Sequence, residues 1–320
     1  MRGFPARSCS AAASRRTTTP EPSATCGLRG IAATGERSHS STLHDGCMAA
    51  RRGVWSFAIA AVILAAAFVA TYIFFVRTYV GQIVDERAFV GASSQHDLVY
   101  RLTGMVLGNV PTIAIGGGIL LTLVIGLVTR RFRHLLVALA VGGIAVVAAE
   151  LAKHVFLERA ETGATDLLGN SFPSGHATVA AAAAFAIFVV SPPRWRPLAA
   201  VLGGAFAVLT GILLVIQQWH RPSDVVAAFM LVAACGCLGG IALLLWRVPE
   251  AVPPARTLPA LWWIAALSAL ASGVAFVIIF ITVQNHGSHL QIAYAGGGAA
   301  ILAVGSALAA AGNALFRRIS

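Results

Sequence analysis

From Val54 onward the chain is a succession of apolar runs, each near the roughly 20 residues that a helix needs to cross the hydrocarbon core of a bilayer. The runs are Val54–Val76, Val110–Thr129, Leu135–Val155, His176–Val190, Leu198–Ile216, Val225–Leu245, Leu261–Val283 and Ile292–Leu315. In lipid the backbone has to satisfy its own hydrogen bonds, which an open sheet cannot do. The fold class expected is therefore all-α, a polytopic bundle of about eight transmembrane helices. With 58% hydrophobic and 11% charged residues, the chain has too little charge to coat a water-soluble domain. The net charge of +11 would suggest nucleic acid for a soluble protein. Here arginines at span ends account for it through orientation in the bilayer, so no nucleic-acid partner is expected. Clusters such as Gly116-Gly117-Gly118 and Gly296-Gly297-Gly298 suit close helix packing.

Four regions follow. Residues 1–50 are rich in Arg, Ser, Thr and Ala, lack an apolar stretch long enough for a signal-peptide core, and read as a disordered extension. Met48, directly before "AARRGVWSF", reads as a natural start for a membrane protein, so the extension need not be translated. Residues 54–245 hold six spans, 246–260 a linker, and 261–320 two further spans. Cys9, Cys26 and Cys47 lie in the polar tail, and Cys235 and Cys237 inside an apolar run where they read as packing.

The loops set an orientation. Arg51-Arg52, "TRRFRH" (129–134), "SPPRWRP" (191–197), "WRVPEAVPPAR" (246–256) and Arg317-Arg318 all fall on one side. By the positive-inside rule that side is cytoplasmic, with both termini there, in a plasma (inner) membrane. The opposite side carries residues 77–109, the 156–175 loop, "QQWHRPSD" (217–224) and "NHGSHLQ" (285–291). Chemistry is expected outside.

Three fragments on that outer side stand at helix ends. Lys153, the only lysine in the chain, lies six residues before Arg159, and this pair of cations could also simply snorkel to headgroups. Pro173-Ser174-Gly175-His176 opens the fourth span. A proline in the first helical turn, amides of Ser174, Gly175 and His176 at the positive end of the dipole, and a glycine allowing close approach together make an anion site. An ordinary capped helix start is the plainer alternative. "WHRPSD" opens the sixth span with Pro222 at the helix start, and Asp224 lies four residues after His220. A carboxylate there fixes the imidazole tautomer and frees the other nitrogen to attack. Asp224 could equally act only as a cap.

Taken in order, these fragments resemble a known family, the type 2 phosphatidic acid phosphatases, of the acid-phosphatase superfamily shared with vanadium haloperoxidases. Its signatures are Lys followed by Arg-Pro, then Pro-Ser-Gly-His, then Ser-Arg followed by His-x3-Asp. They are matched by Lys153 with Arg159, by Pro173 to His176, and by His220 with Asp224, within a six-helix core covering residues 54–245. The resemblance implies a membrane hydrolase acting on a phosphorylated lipid at the outer face. His220 would be the nucleophile that becomes a phosphohistidine, Asp224 its orienting partner and His176 the general acid. Lys153, Arg159, Ser174 and the Gly175 amide would hold the phosphoryl oxygens. The resemblance implies no metal and no cofactor.

The chain departs from the pattern in two places. The Lys-to-Arg spacing is one residue short, with Ala160 where the proline would stand. The third signature's Ser-Arg is replaced by Leu213-Leu214. Arg221, next to His220, is the candidate for the missing charge. Three readings remain open at this stage: a lipid phosphatase acting on a phosphatidate-type lipid or a polyprenyl diphosphate, a phosphotransferase on the same scaffold, and a non-catalytic binder of lipid phosphates. Glu150 and His154 flank Lys153 and either tune its charge or pack. His286 and His289 form an isolated His-x2-His, a weak candidate for metal.

Overall fold

The computed structural model describes residues 30–94, 104–105, 108–109, 113–165, 169–246, 257–283 and 289–317, with side chains from Arg51 onward except at 94 and 113–114. Residues 1–47 and 48–320 form separate compact units. Within the first, the described residues are helical from Gly30, inside the stretch expected to be unstructured. The second unit is the bundle.

Among the described residues nine α-helices follow one another: α1 (Gly30–Thr71), α2 (Tyr79–Gly91), α3 (Gly118–Val128), α4 (Phe132–Leu151), α5 (Gly175–Val190), α6 (Arg196–Ile216), α7 (Pro222–Leu245), α8 (Pro259–Ile281) and α9 (Leu290–Phe316). There is no strand among the described residues. Single π-helical turns extend α1 through Tyr72–Val76 and α4 through Ala152–Phe156, and another, Ile113–Gly117, leads into α3. Among the described residues six helices are long and apolar enough to cross a membrane, and two shorter apolar ones, Ile115–Val128 and Gly175–Val190, match the second and fourth expected spans. The start of the second expected span lies outside the described residues. The chain fits an integral membrane protein.

α2 had no counterpart among the expected spans. It is a short helix in what read as an outer loop, capped by Thr78, whose side chain accepts from the Gly81 amide at 3.1 Å. A Cβ at Gly81 would overlap the Phe74 carbonyl, so only glycine permits this tight return from the end of α1.

Two apolar clusters hold the bundle. One joins α6, α7 and α9 through Leu214, Val215, Val225, Phe229 and Ile301. The other joins α1, α4, α5 and α7 to the end of α9. There Phe316 meets Phe57 and Phe188 edge-on, each at 5.2 Å between ring centroids. The two C-terminal helices are thus part of the core: α9 packs on α2, α6, α7 and α8. Gly297 lets it lie against the start of α7, where an added Cβ would come within 2.5 Å of Pro222 Cγ.

The basic loops gather at one end of the bundle. Arg133 donates to the Trp246 carbonyl at 3.0 Å, and Arg196 reaches the carbonyls of Val189 and Phe316. The starts of α5 and α7 and the end of α4 lie at the other.

Candidate active site

α7 begins as its sequence suggests. Pro222 occupies the first helical position, and the Asp224 carboxylate turns back to accept from the Arg221 amide at 3.1 Å, half of a capping box. The same oxygen, Oδ2, accepts from Nδ1 of His220 at 3.3 Å and from the Ser171 hydroxyl at 2.7 Å. Asp224 is fully buried and His220 nearly so. A carboxylate bonded to Nδ1 leaves Nε2 of His220 as the nitrogen carrying a free lone pair.

α5 begins at Gly175, one residue before the expected span but without the proline expected in its first turn. Pro173, on a cis bond from Phe172, stands outside the helix, and Ser174 is the N-cap, its hydroxyl oxygen accepting from the Ala177 amide at 3.3 Å. The Ser174 amide donates to the Asp224 carbonyl at 3.0 Å. It therefore ties the two helix mouths together rather than offering itself to an anion, a correction to the expected role of that amide. The amides of Gly175 and His176 keep no partner among the described residues. A Cβ on Gly175 would meet Glu150 Oε1 at 2.8 Å and lie 3.9 Å from Lys153 Nζ, so both side chains converge on this helix start. The His176 ring is 6.2 Å from that of His220 and 5.4 Å from that of Trp219.

Arg159 comes in on the loop after α4. Its side chain is buried, and Nε and both terminal nitrogens have no hydrogen-bond partner. Burial and the neighbouring Arg221 charge press its pKa downward, while Asp224, Asp85 and Glu86 hold it up. An ion left unpaired in a protein interior costs about 3–5 kcal/mol. A guanidinium in that state has its full donor set available to an anion supplied from outside. Asp224 Oδ1 is the other buried charged atom here with no partner.

Arg221 is differently placed. Nε and NH2 donate to Glu86 Oε2 at 2.8 and 2.6 Å, NH2 also donates to Thr165, and the guanidinium lies 5.1 Å from the Phe89 ring centroid. Its charge is beside the site but largely committed. Leu214, where the family pattern has arginine, is fully buried in the apolar core, and its carbonyl accepts from the Trp219 amide at 3.0 Å.

All eight expected site residues thus gather at one end of the bundle. Glu150 and His154 pair with each other at 3.2 Å in an exposed position. His289 caps α9 with a positive φ of 60°, and His286 lies outside the described residues. Sequence reasoning missed two groups. Asn170 and Ser171 stand just before Pro173: Asn170 donates to the carbonyls of Lys153 and Leu157, joining the Lys153 turn to the α5 entry. Asp85 and Glu86 on α2 hold the α7 mouth, and only the run of charges in "DERAF" hinted at them.

Residues 135–249 match the family model of the PAP2 superfamily, and that segment is a PAP2 domain. It contains Lys153, Arg159, both histidines and Asp224. In comparisons with curated proteins and with solved structures, nothing matches.

Proposed function

From a chain whose residues 135–249 belong to the PAP2 superfamily and whose helices fit a membrane phosphatase, we propose an enzyme that removes phosphate from a phosphorylated membrane lipid through a phosphohistidine. The observation that carries this reading is Arg159: a buried guanidinium with no protein partner, beside a histidine–aspartate pair at two helix mouths.

Nε2 of His220 attacks phosphorus, and a P–N bond forms as the P–O bond to the leaving alcohol or phosphate breaks. His176, across the gap from His220, gives the leaving oxygen its proton. Asp224 keeps Nδ1 protonated and stabilises the positive imidazole that results. Water, activated by the same His176, then breaks the P–N bond and releases inorganic phosphate. Arg159, Lys153 and the amides of Gly175 and His176 meet the phosphoryl oxygens, with Arg221 adding charge from the side. Ser174 supports this frame through its cap and its bond to Asp224. Neither step calls for a metal or cofactor. The lipid is of the phosphatidate or polyprenyl diphosphate type, its headgroup arriving laterally at the outer face, opposite the arginine-rich end.

Purified full-length protein tested on a panel of lipid phosphates should release inorganic phosphate and trap acid-labile phosphate, and His220→Ala should do neither. Leu214 favours a second reading: with the usual arginine replaced by a core leucine, the site would bind lipid phosphates without turning them over. Lipid binding without phosphate release would select it. Transfer of phosphate to an added alcohol in place of water would select the phosphotransferase. For the orientation, with native cysteines removed, Glu161→Cys should react with an impermeant maleimide in intact cells and Arg194→Cys only after lysis.

A further inference from the structure

α2 lies before the PAP2 segment, yet one of its faces is in contact with both catalytic loops. Gln82, Asp85, Glu86 and Phe89 fall at i, i+3, i+4 and i+7, the spacing of a single helical stripe. In a helix held by the hydrophobic effect that stripe would be apolar. Here three of its four members are polar, and each of the four has a partner.

Gln82 donates to the Ala160 carbonyl at 2.7 Å, beside Arg159, and accepts from the Thr162 hydroxyl. Asp85, itself buried, accepts from both the amide and the hydroxyl of Ser223, in the first turn of α7. Glu86 holds Nε and NH2 of Arg221, and Phe89 lies under that guanidinium. The Phe89 carbonyl accepts from Gln218 at 3.1 Å. One helix face thus sets the Arg159 loop against the segment that carries His220.

We infer that Asp85 and Glu86 are positioning residues for the reacting histidine: Glu86 fixes the Arg221 charge, and Asp85 fixes the first turn of α7 on which Asp224 meets His220. The kinetic part of this inference rests on the phosphatase reading, whereas the geometric part does not. The charged groups facing Asp85 are Asp224 and Arg221 at the α7 mouth and Arg159 from its loop. Around the small cavity beside Asp85, α1, α8 and α9 present Thr71, Ser272 and apolar residues only. Asp85 and Asp224 therefore feel each other directly, and burial together with Asp224 pushes the Asp85 carboxyl up to about 7. Two carboxyls whose proton affinities are driven apart leave Asp224 ionised for His220 and Asp85 holding the proton near neutrality.

The test uses purified full-length protein with 15N-labelled histidine. Imidazole spectra should show the His220 ring-nitrogen signals displaced from their wild-type positions in Asp85→Asn and in Glu86→Gln. His220 ring-nitrogen signals unchanged in both variants overturn the inference, whether or not the protein turns over lipid. In parallel, Glu86→Gln should lower kcat about tenfold or more, as misplacement of a reacting group does, with KM little changed. The double variant Glu86→Gln with Arg221→Ala should be no slower than Arg221→Ala alone, whereas additive losses would also overturn the coupling. If Asp85→Asn does not fold, Glu86→Gln, at a partly exposed position, still reads it. Displaced His220 ring-nitrogen signals in a protein that releases no phosphate would refute the phosphatase and leave the positioning role standing.

Discussion

The mouths of α5 and α7 look alike in sequence, each a Pro-Ser pair beside a histidine, but they are built for opposite purposes. At α7 the residues from His220 to Asp224 are buried, and the side chains of Asp85, Glu86 and Asp224 saturate its donors. At α5 the histidine is half-exposed, and the first two amides of the helix are left without partners among the described residues. A helix start whose amides are filled by the protein's own carboxylates is a rigid mount. One whose amides are open is an anion receptor. In the proposed reaction the first carries the attacking histidine and the second receives the phosphate.

The largest expected effect tests the mount. Asp224→Asn preserves shape but reverses the preferred tautomer, so phosphate release should fall on the order of 10³–10⁴-fold. A loss under tenfold would mean that Asp224 only caps α7.

The charges come next. Arg159→Ala should lower kcat about a hundredfold or more, because its guanidinium has nothing else to bind. Arg221→Ala should cost less turnover and more thermal stability, since it strands the Glu86 carboxylate. Equal kinetic losses would show that Arg221 replaces the arginine missing at Leu214.

Two glycines then separate the mouths by stability. Gly297→Ala drives a Cβ into the Pro222 ring, a rigid neighbour, and should destabilise by about 1–3 kcal/mol in thermal unfolding. Gly175→Ala meets only the movable end of Glu150, so its melting temperature should stay near wild type while KM rises. A stable Gly297→Ala protein would show that α9 does not support the α7 mouth.

The smallest effect is one of pH. The folded-state pKa of Asp85 is raised to about 7 from an ordinary 3.8. The folded protein therefore keeps a proton that the unfolded chain has lost between those values. The stability contributed by that proton is complete below about 4 and is lost as pH rises through about 7. Melting temperatures of the wild type should fall across that upper limb, and those of Asp85→Asn should fall less. Parallel curves would mean that Asp85 is ionised throughout.

Much of this was legible without a structure. The apolar runs, the order of Lys153, the Pro-Ser-Gly-His tetrapeptide and the His220–Asp224 pair, and the arginine-rich loops are all local signals. Hydrophobic length and helix-start chemistry act over a turn or two of chain, so a linear reading catches them. The Asp224–His220 contact is of this kind, being one helical turn apart. The α2 stripe was not legible, because a short helix with polar residues at core spacing looks like a loop until its partners are known.

The sequence by itself determined an all-helical membrane chain and a set of candidate site residues that the fold gathers at one end of the bundle. Only the tertiary structure decided which charges are spent and which are free. Arg159 and Arg221 are both arginines beside the same histidine motif. One is left open and the other is held by Glu86, because the partner of a buried charge is whatever another helix brings to it. The same holds for α9, whose place against Pro222 depends on a glycine 75 residues away along the chain. Packing at that range depends on the shapes of two surfaces meeting, which no local pattern of residues encodes.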